Sequence, residues 1–317
     1  MKTLILSLAA VTGTLLLPAD TATQSQPGGR IAEPLRGVAH TSASRSMSQA
    51  DGPASPRRGS RLSQSPAQPA SPIVPDARAS DVRVPTSDVR VIDLGHPLRE
   101  SDPTWTGEKV FTHTASGTPG GVDFFGGRFS ADEHFGTHLD APAHIGGPWT
   151  TEQIPVSRFV RPAVCINIEA QVRENVDYQL TLRDVHAFEK AHGPIPTDAV
   201  VLIATGWDRY WSEPARYRNA RDGVMHFPGI SHEAAVYLGR DRKVVGVGID
   251  TPSVDYGPSS QFEVHRTLQP LNIYNVENAT GLTTLPPRGF TVIVAPVNIV
   301  GGSGGPTRLF ALIPATR

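Results

Sequence analysis

The stretch His134-Phe135-Gly136-Thr137-His138-Leu139-Asp140-Ala141-Pro142-Ala143-His144 decides how this chain is read. It gathers three of the 11 histidines and one carboxylate. Gly136 and Pro142 argue against a helix here. In extended chain, side chains alternate between faces, so His134, His138, Asp140 and His144, all of one parity, project to one side. Four residues of straight strand cover roughly 13 Å, whereas an imidazole nitrogen binds zinc at about 2.0–2.1 Å. His134 and His138 therefore share an ion only if the chain bends between them. Gly136 is the place for that bend, because glycine tolerates backbone angles that other residues do not. The pattern predicts a metal site. A histidine-rich surface loop without metal is the alternative that spacing alone leaves open.

Working outward, β-branched and apolar runs bounded by Gly, Pro or Asp predict strands. They are Val89–Leu94, Ala163–Ile168, Ala199–Ala204, Val244–Ile249, Leu271–Val276, Phe290–Val294 and Arg308–Ile313. Thr181 is placed to cap a helix carrying Leu182, Val185 and Phe188, and Ser231 another carrying Ala234, Ala235 and Leu238. Strands interleaved with a few helices predict an α/β or α+β domain. From position 89 to the C-terminus, roughly 229 residues suffice for one sizeable core.

The first part of the chain differs. Lys2 followed by the apolar run Leu4–Leu17 and the small residues Ala19–Ala22 predicts a signal peptide over 1–22. That run is too short for a bilayer, which needs roughly 20 residues. Export to the periplasm or the outside follows, with no stable membrane insertion once the signal is removed. Residues 23–88 are rich in Ser, Pro, Ala, Gly and Arg and lack aromatics, which predicts a disordered linker. Arg57, Arg58 and Arg61 make it mildly basic. Without aromatics it offers bases no stacking platform, and the net charge of −1 gives no general pull toward nucleic acid. The single cysteine, Cys165, lies in an apolar run and predicts a small buried side chain.

The quoted stretch resembles the H-x-G-T-H-x-D-x-P-x-H signature of the cyclase family of metal hydrolases, which includes bacterial kynurenine formamidases and isatin hydrolases. Further segments resemble that family in the same order: Val91–Leu98, Gly206-Trp207, Phe227–Ser231, Gly248–Asp255, Val264–Arg266, Asn275–Asn278 and Gly301–Pro306. The resemblance implies a swivelling β/β/α-type single domain over 89–317, with a small barrel-like sheet flanked by helices, and a homodimer or higher homo-oligomer. It implies that His134, His138 and Asp140 bind metal, with Asp140 able to bridge two ions. His265 and Glu277 then complete the site from a distant part of the chain, and His144 shuttles a proton. Trp105 matches a tryptophan that lines the substrate pocket, although Thr106 stands where the family has proline. Asp250 and Asp255 are expected to orient neighbouring groups.

Three imidazoles and two carboxylates without a thiolate suit zinc first, with manganese or iron as alternatives, in one or two ions. Such an ion polarises an amide carbonyl and lowers the pKa of water from 15.7 to about 7. The resemblance implies a small aromatic amide substrate: first an aryl formamide such as N-formylkynurenine, and second a cyclic amide such as isatin, or a lactone. An inactive secreted metal-binding module is the alternative of another class, and His144, which holding a metal does not require, argues against it. Gly301–Gly305 fits the G-x-S-x-G nucleophile pattern, but that pattern expects an acid and then a histidine after the serine. Neither follows Ser303, so a Gly-rich turn is the expectation there.

Overall fold

Alternating β-branched residues build the central sheet. The computed structural model describes residues 88–121 and 124–315. The chain begins with β1 (Val89–Asp93), the hairpin β2 (Thr112–Ser116) and β3 (Gly126–Ser130), and the short β4 (His138–Asp140). The middle runs β5 (Val160–Asn167), α1 (Glu169–Glu174), β6 (Gln179–Leu180), α2 (Leu182–His192), β7 (Val200–Ala204), α3 (Pro214–Arg218), β8 (Gly229–Ile230) and α4 (His232–Val236). β9 (Gly246–Ile249), α5 (Glu263–Leu268), β10 (Tyr274–Glu277), β11 (Arg288–Pro296) and β12 (Gly304–Pro314) complete it. Seven strands close into a ring in the order β12-β11-β5-β7-β9-β10-β4, with β4 pairing back onto β12. β1 adds to the far end of the same β12 edge. This is the mixed α/β domain with a barrel-like sheet that the resemblance implied.

Period two decides which side chain faces where. From β5 and β7, Val164, Ile166, Val201 and Ile203 join a core shared with Val185 and Phe188 of α2, Ala234 of α4, and Val264 and Leu268 of α5. The intervening Ala163, Cys165, Val200 and Leu202 join the barrel's own core with Leu139, Val276, Val292 and Leu309. Each fully buried Val, Leu or Ile stabilises the fold by about 1.5–3 kcal/mol over its exposed state. Cys165 is buried as expected, and burial pushes its thiol up to about 12. Both expected caps are present. Thr181 and Asp184 form a reciprocal capping box at α2, and Ser231 Oγ accepts from the Ala234 amide at α4.

One strand expectation needs correction. Leu271 belongs to a short 3₁₀ turn, and Asn272 follows in the left-handed region at φ 62°, so β10 starts only at Tyr274. The hairpin β2–β3 was not expected, because its residues face solvent and show no apolar alternation. The signal peptide expected over 1–22 and the linker expected over 23–88 lie outside the described residues, apart from Asp88. No helix among the described residues is long and apolar enough to cross a membrane.

Candidate metal centre

β4 is three residues long, and its two partners build the site. Antiparallel register sets His138 opposite Glu277 of β10 and Asp140 opposite Gly304 of β12. Gly136, at φ 65°, supplies the bend expected before β4. The bend brings the His134 ring within 5.3 Å of the His138 ring, centroid to centroid. His265 enters from α5, where Asp255 accepts from the Val264 amide (2.9 Å) and from His265 Nδ1 (2.6 Å). His144 sits in a 3₁₀ turn, Pro142–Ile145, that begins at Pro142 and ends at left-handed Gly146. Its ring lies 4.1 Å from that of His134 and 5.8 Å from that of His265.

The structure thus brings together the five expected metal ligands and His144. Two groups of potential ligand atoms overlap at Asp140: His134, His138 and Asp140 form one, and Asp140, His144 and His265 the other. Glu277 lies across both, 3.5 Å from His138 Nε2 and 3.4 Å from His265 Nε2. Asp140 and Glu277 are only 1% and 5% exposed. Among the described residues, no lysine or arginine pairs with either. Buried carboxylates without a counter-charge are costly, so the cluster calls for positive charge. Burial alone would lower the pKa of His138, but Asp140 and Glu277 override it and push it up to about 10. Burial also works against protonation of His265, yet Asp140, Asp255 and Glu277 hold its pKa well above the usual value. Conversely, burial would raise Asp140, and the histidines around it hold it well below the usual carboxylate range.

Hydrogen-bond partners test whether these groups suit a metal. His138 Nδ1 faces the Gly136 carbonyl at 3.0 Å, an acceptor only, so Nδ1 carries a proton. Its Nε2, 3.2 Å from Asp140 Oδ1, is then the nitrogen left for a cation that Asp140 shares. His265 repeats the arrangement, with Nδ1 on Asp255 and Nε2 3.2 Å from Asp140 Oδ2. Each Nε2 meets the carboxylate through a proton or through a cation, and the raised pKa of both rings shows how strongly Asp140 and Glu277 favour positive charge there. Outer partners that fix the far ring nitrogen are the usual accompaniment of metal-binding histidines. The donor set fits a divalent ion, and its mix of imidazole and carboxylate accommodates zinc or manganese.

A cavity of about 440 Å³ opens onto the cluster. Trp105, Tyr217 and Phe262 line it beside His144. Trp105 stands 6.1 Å from the Phe262 ring and 6.3 Å from that of Phe227, so the expected pocket tryptophan is in place despite Thr106. Asn278 was quoted only as part of a motif, yet its amide donates to Gly136 O (2.8 Å) while Tyr217 donates to it (2.8 Å). Of the two orienting aspartates, only Asp255 touches a site histidine. Asp250 instead binds Thr205 and Gly206.

The family model Cyclase, described as "Putative cyclase", matches residues 92–256. An isatin hydrolase from Roseibium aggregatum is 32% identical over 191 residues, covering 57% of this chain and 72% of that protein. The chain belongs to the cyclase family. Among solved structures, isatin hydrolase A from Ralstonia solanacearum matches this chain with a TM-score of 0.67 and 37% identity, over 71% of this chain and 92% of that one. A kynurenine formamidase from Salinibacter ruber is 28% identical over 226 residues, covering 69% and 95%. The protein is a cyclase-family hydrolase, with a His/Asp cluster that could bind metal.

The structure also revises the grounds on which Ser303 was set aside. Ser303 Oγ lies 3.0 Å from His134 Nε2, and His134 Nδ1 lies 2.6 Å from Asp140 Oδ1. The acid and the histidine that should follow the serine in sequence precede it here, an order other serine hydrolases also use. Sequence order alone therefore does not exclude a serine nucleophile; the hydroxyl proton, which Ser303 donates to Glu133 Oε2 at 2.6 Å, argues against one.

Proposed function

We propose that this hydrolase cleaves the amide bond of a small aromatic substrate, with a cyclic amide such as isatin in first place. An aryl formamide such as N-formylkynurenine comes second. The observation that carries the reading is an aromatic-walled cavity onto which His134, His138, His265 and Glu277 converge around Asp140, with His144 beside them. The order of substrates reverses the one favoured from sequence. It rests on similarity, since the isatin hydrolases named above are 32% and 37% identical and the kynurenine formamidase 28%.

In this reading His134, His138, Asp140, His265 and Glu277 hold the divalent ion, zinc first. An ion bound there supplies Lewis acidity, which polarises a carbonyl and makes water more acidic. Trp105 and Phe262 hold the aromatic ring of the substrate. His144 accepts a proton from the attacking water at a ring nitrogen and returns it to the leaving amine nitrogen. Burial lowers the pKa of His144, with Asp140 opposing and His134 and His265 adding to the shift, so the ring is a neutral base near pH 7. We also propose export, from the apolar run Leu4–Leu17, and a homo-oligomer, from the family resemblance. N-terminal sequencing of the mature protein and light scattering test these two.

The experiment is elemental analysis of protein purified without added metal, with hydrolysis of isatin and N-formylkynurenine assayed on the same sample. Bound zinc or manganese with faster turnover of isatin is expected. Bound metal with turnover of N-formylkynurenine alone would reverse the order of substrates. Folded protein that takes up no metal when supplied with it would end this reading.

A further inference from the structure

The turn that leads into β12 packs against the back of His134. Ser303 Oγ is 3.0 Å from His134 Nε2, and the same hydroxyl is 2.6 Å from Glu133 Oε2. The Ser303 amide reaches that carboxylate oxygen as well, at 2.8 Å. An ionised carboxylate only accepts hydrogen bonds, so the serine hydroxyl donates to Glu133. Its lone pairs are left to accept a proton from His134 Nε2. With Nε2 donating to Ser303, Nδ1 is the nitrogen left for a cation shared with Asp140 Oδ1, which lies 2.6 Å from it. Gly304 completes the arrangement. A Cβ there would stand 2.7 Å from His134 Cε1 and 2.7 Å from the Leu139 carbonyl, so any side chain would displace the ring.

We propose that Glu133, Ser303 and Gly304 form a cradle that fixes the tautomer and ring orientation of His134, so that Nδ1 is the atom presented to the metal. The proposal rests on the reading of His134 as a metal ligand. All three are positioning residues acting through His134. The cradle matches what Gly136 O does for His138 and Asp255 for His265, so every ligand histidine has one ring nitrogen held from outside. It also accounts for the Gly-Gly-Ser-Gly-Gly segment, to which no function was assigned. The same atoms have the connectivity of a serine, base and acid triad. They do not work as one, because the Ser303 proton is committed to Glu133 and Ser303 does not line the cavity.

The test uses the full chain, stripped of metal and titrated with zinc against a chromophoric chelator. Cobalt(II) absorption reports coordination and circular dichroism reports folding. Glu133 is half-buried, so its variants are the first choice. Glu133→Ala is expected to weaken zinc binding about 10- to 100-fold and to change the cobalt spectrum, as loss of an outer hydrogen-bond partner does at metal sites. Ser303→Ala is expected to do the same. Glu133→Gln, whose amide oxygen can accept from both Ser303 donors, is expected to stay close to wild type. Wild-type zinc affinity and spectrum in both alanine variants would overturn the proposal. Ser303→Ala that keeps zinc but loses turnover would instead make the serine a nucleophile. Glu133→Gln as weak as Glu133→Ala would replace positioning with a charge effect and overturn it too. Wild-type protein that binds no zinc would fail at the underlying metal reading, an outcome visible before any variant is made.

Discussion

Asp140 is the residue through which the two ligand groups meet, with one oxygen facing His134 and His138 and the other facing His265. Asp140→Ala should lose bound metal and hydrolysis together, measured by elemental analysis and turnover on one preparation. Full activity in metal-free buffer would sink the metal mechanism. His144→Ala should separate the two properties. His144 stands outside the His134, His138 and Asp140 group, so that group should still hold an ion while kcat falls by about 10²- to 10⁴-fold, the usual worth of a positioned acid–base group. Near-wild-type turnover would remove His144 from the reaction. The named site residues were legible because one short motif holds four of them and the family resemblance supplied His265, Glu277 and Trp105. Glu133 and Ser303 were not legible, since their contact spans 170 positions and depends on β12 folding back beside β4. No local pattern announces a contact of that kind.

Elements with a buried face were legible, and elements without one were not. The ring strands alternate between two cores, and that alternation is written in Val164, Cys165 and Ile166. The hairpin β2–β3 has no buried face, so period two gives no signal there. α2 could be read from its cap, and the cap can be tested. Thr181→Ala removes the side chain that accepts from the Asp184 amide and should lower stability by about 1 kcal/mol in urea unfolding. No measurable change would show that the cap adds nothing at this site. The segment after β1 carries a second element-scale prediction. His96 stacks on Trp211 at 4.0 Å, and burial lowers its pKa to about 4, with Asp208 opposing and Arg99 assisting. The unfolded chain holds that imidazole near 6.5, so between pH 6.5 and 4 it binds more protons than the folded chain does. Stability should therefore fall as pH drops through that window. His96→Phe keeps the stack and cannot titrate, so the variant should gain stability relative to wild type as pH falls. Parallel stability curves for the two proteins would refute the shift.

At the scale of the whole molecule, the site depends on ring closure, and closure is complete within the described residues. β4 carries His138 and Asp140, β10 carries Glu277, and β12 begins at Gly304 of the cradle, and these three strands are neighbours only because β4 pairs with both of the others. The outermost named site residues are Trp105 and Gly304, well clear of residues 23–85, whose Ser, Pro and Arg content predicts a spacer. Deleting 23–85 should therefore leave kcat/KM and metal content of the purified protein unchanged. Moving the start of β1 would be different, because Val89–Asp93 pairs with Phe310–Pro314 and holds the far end of β12. A deletion that runs past Val89 should lower the unfolding temperature, since it strips the partner from the strand that also anchors His134. The two truncations form one experiment. Equal loss of activity in both would show that the segment before β1 is part of the working enzyme, and loss only in the longer deletion would place the function in the ring together with the β1 strand that braces it.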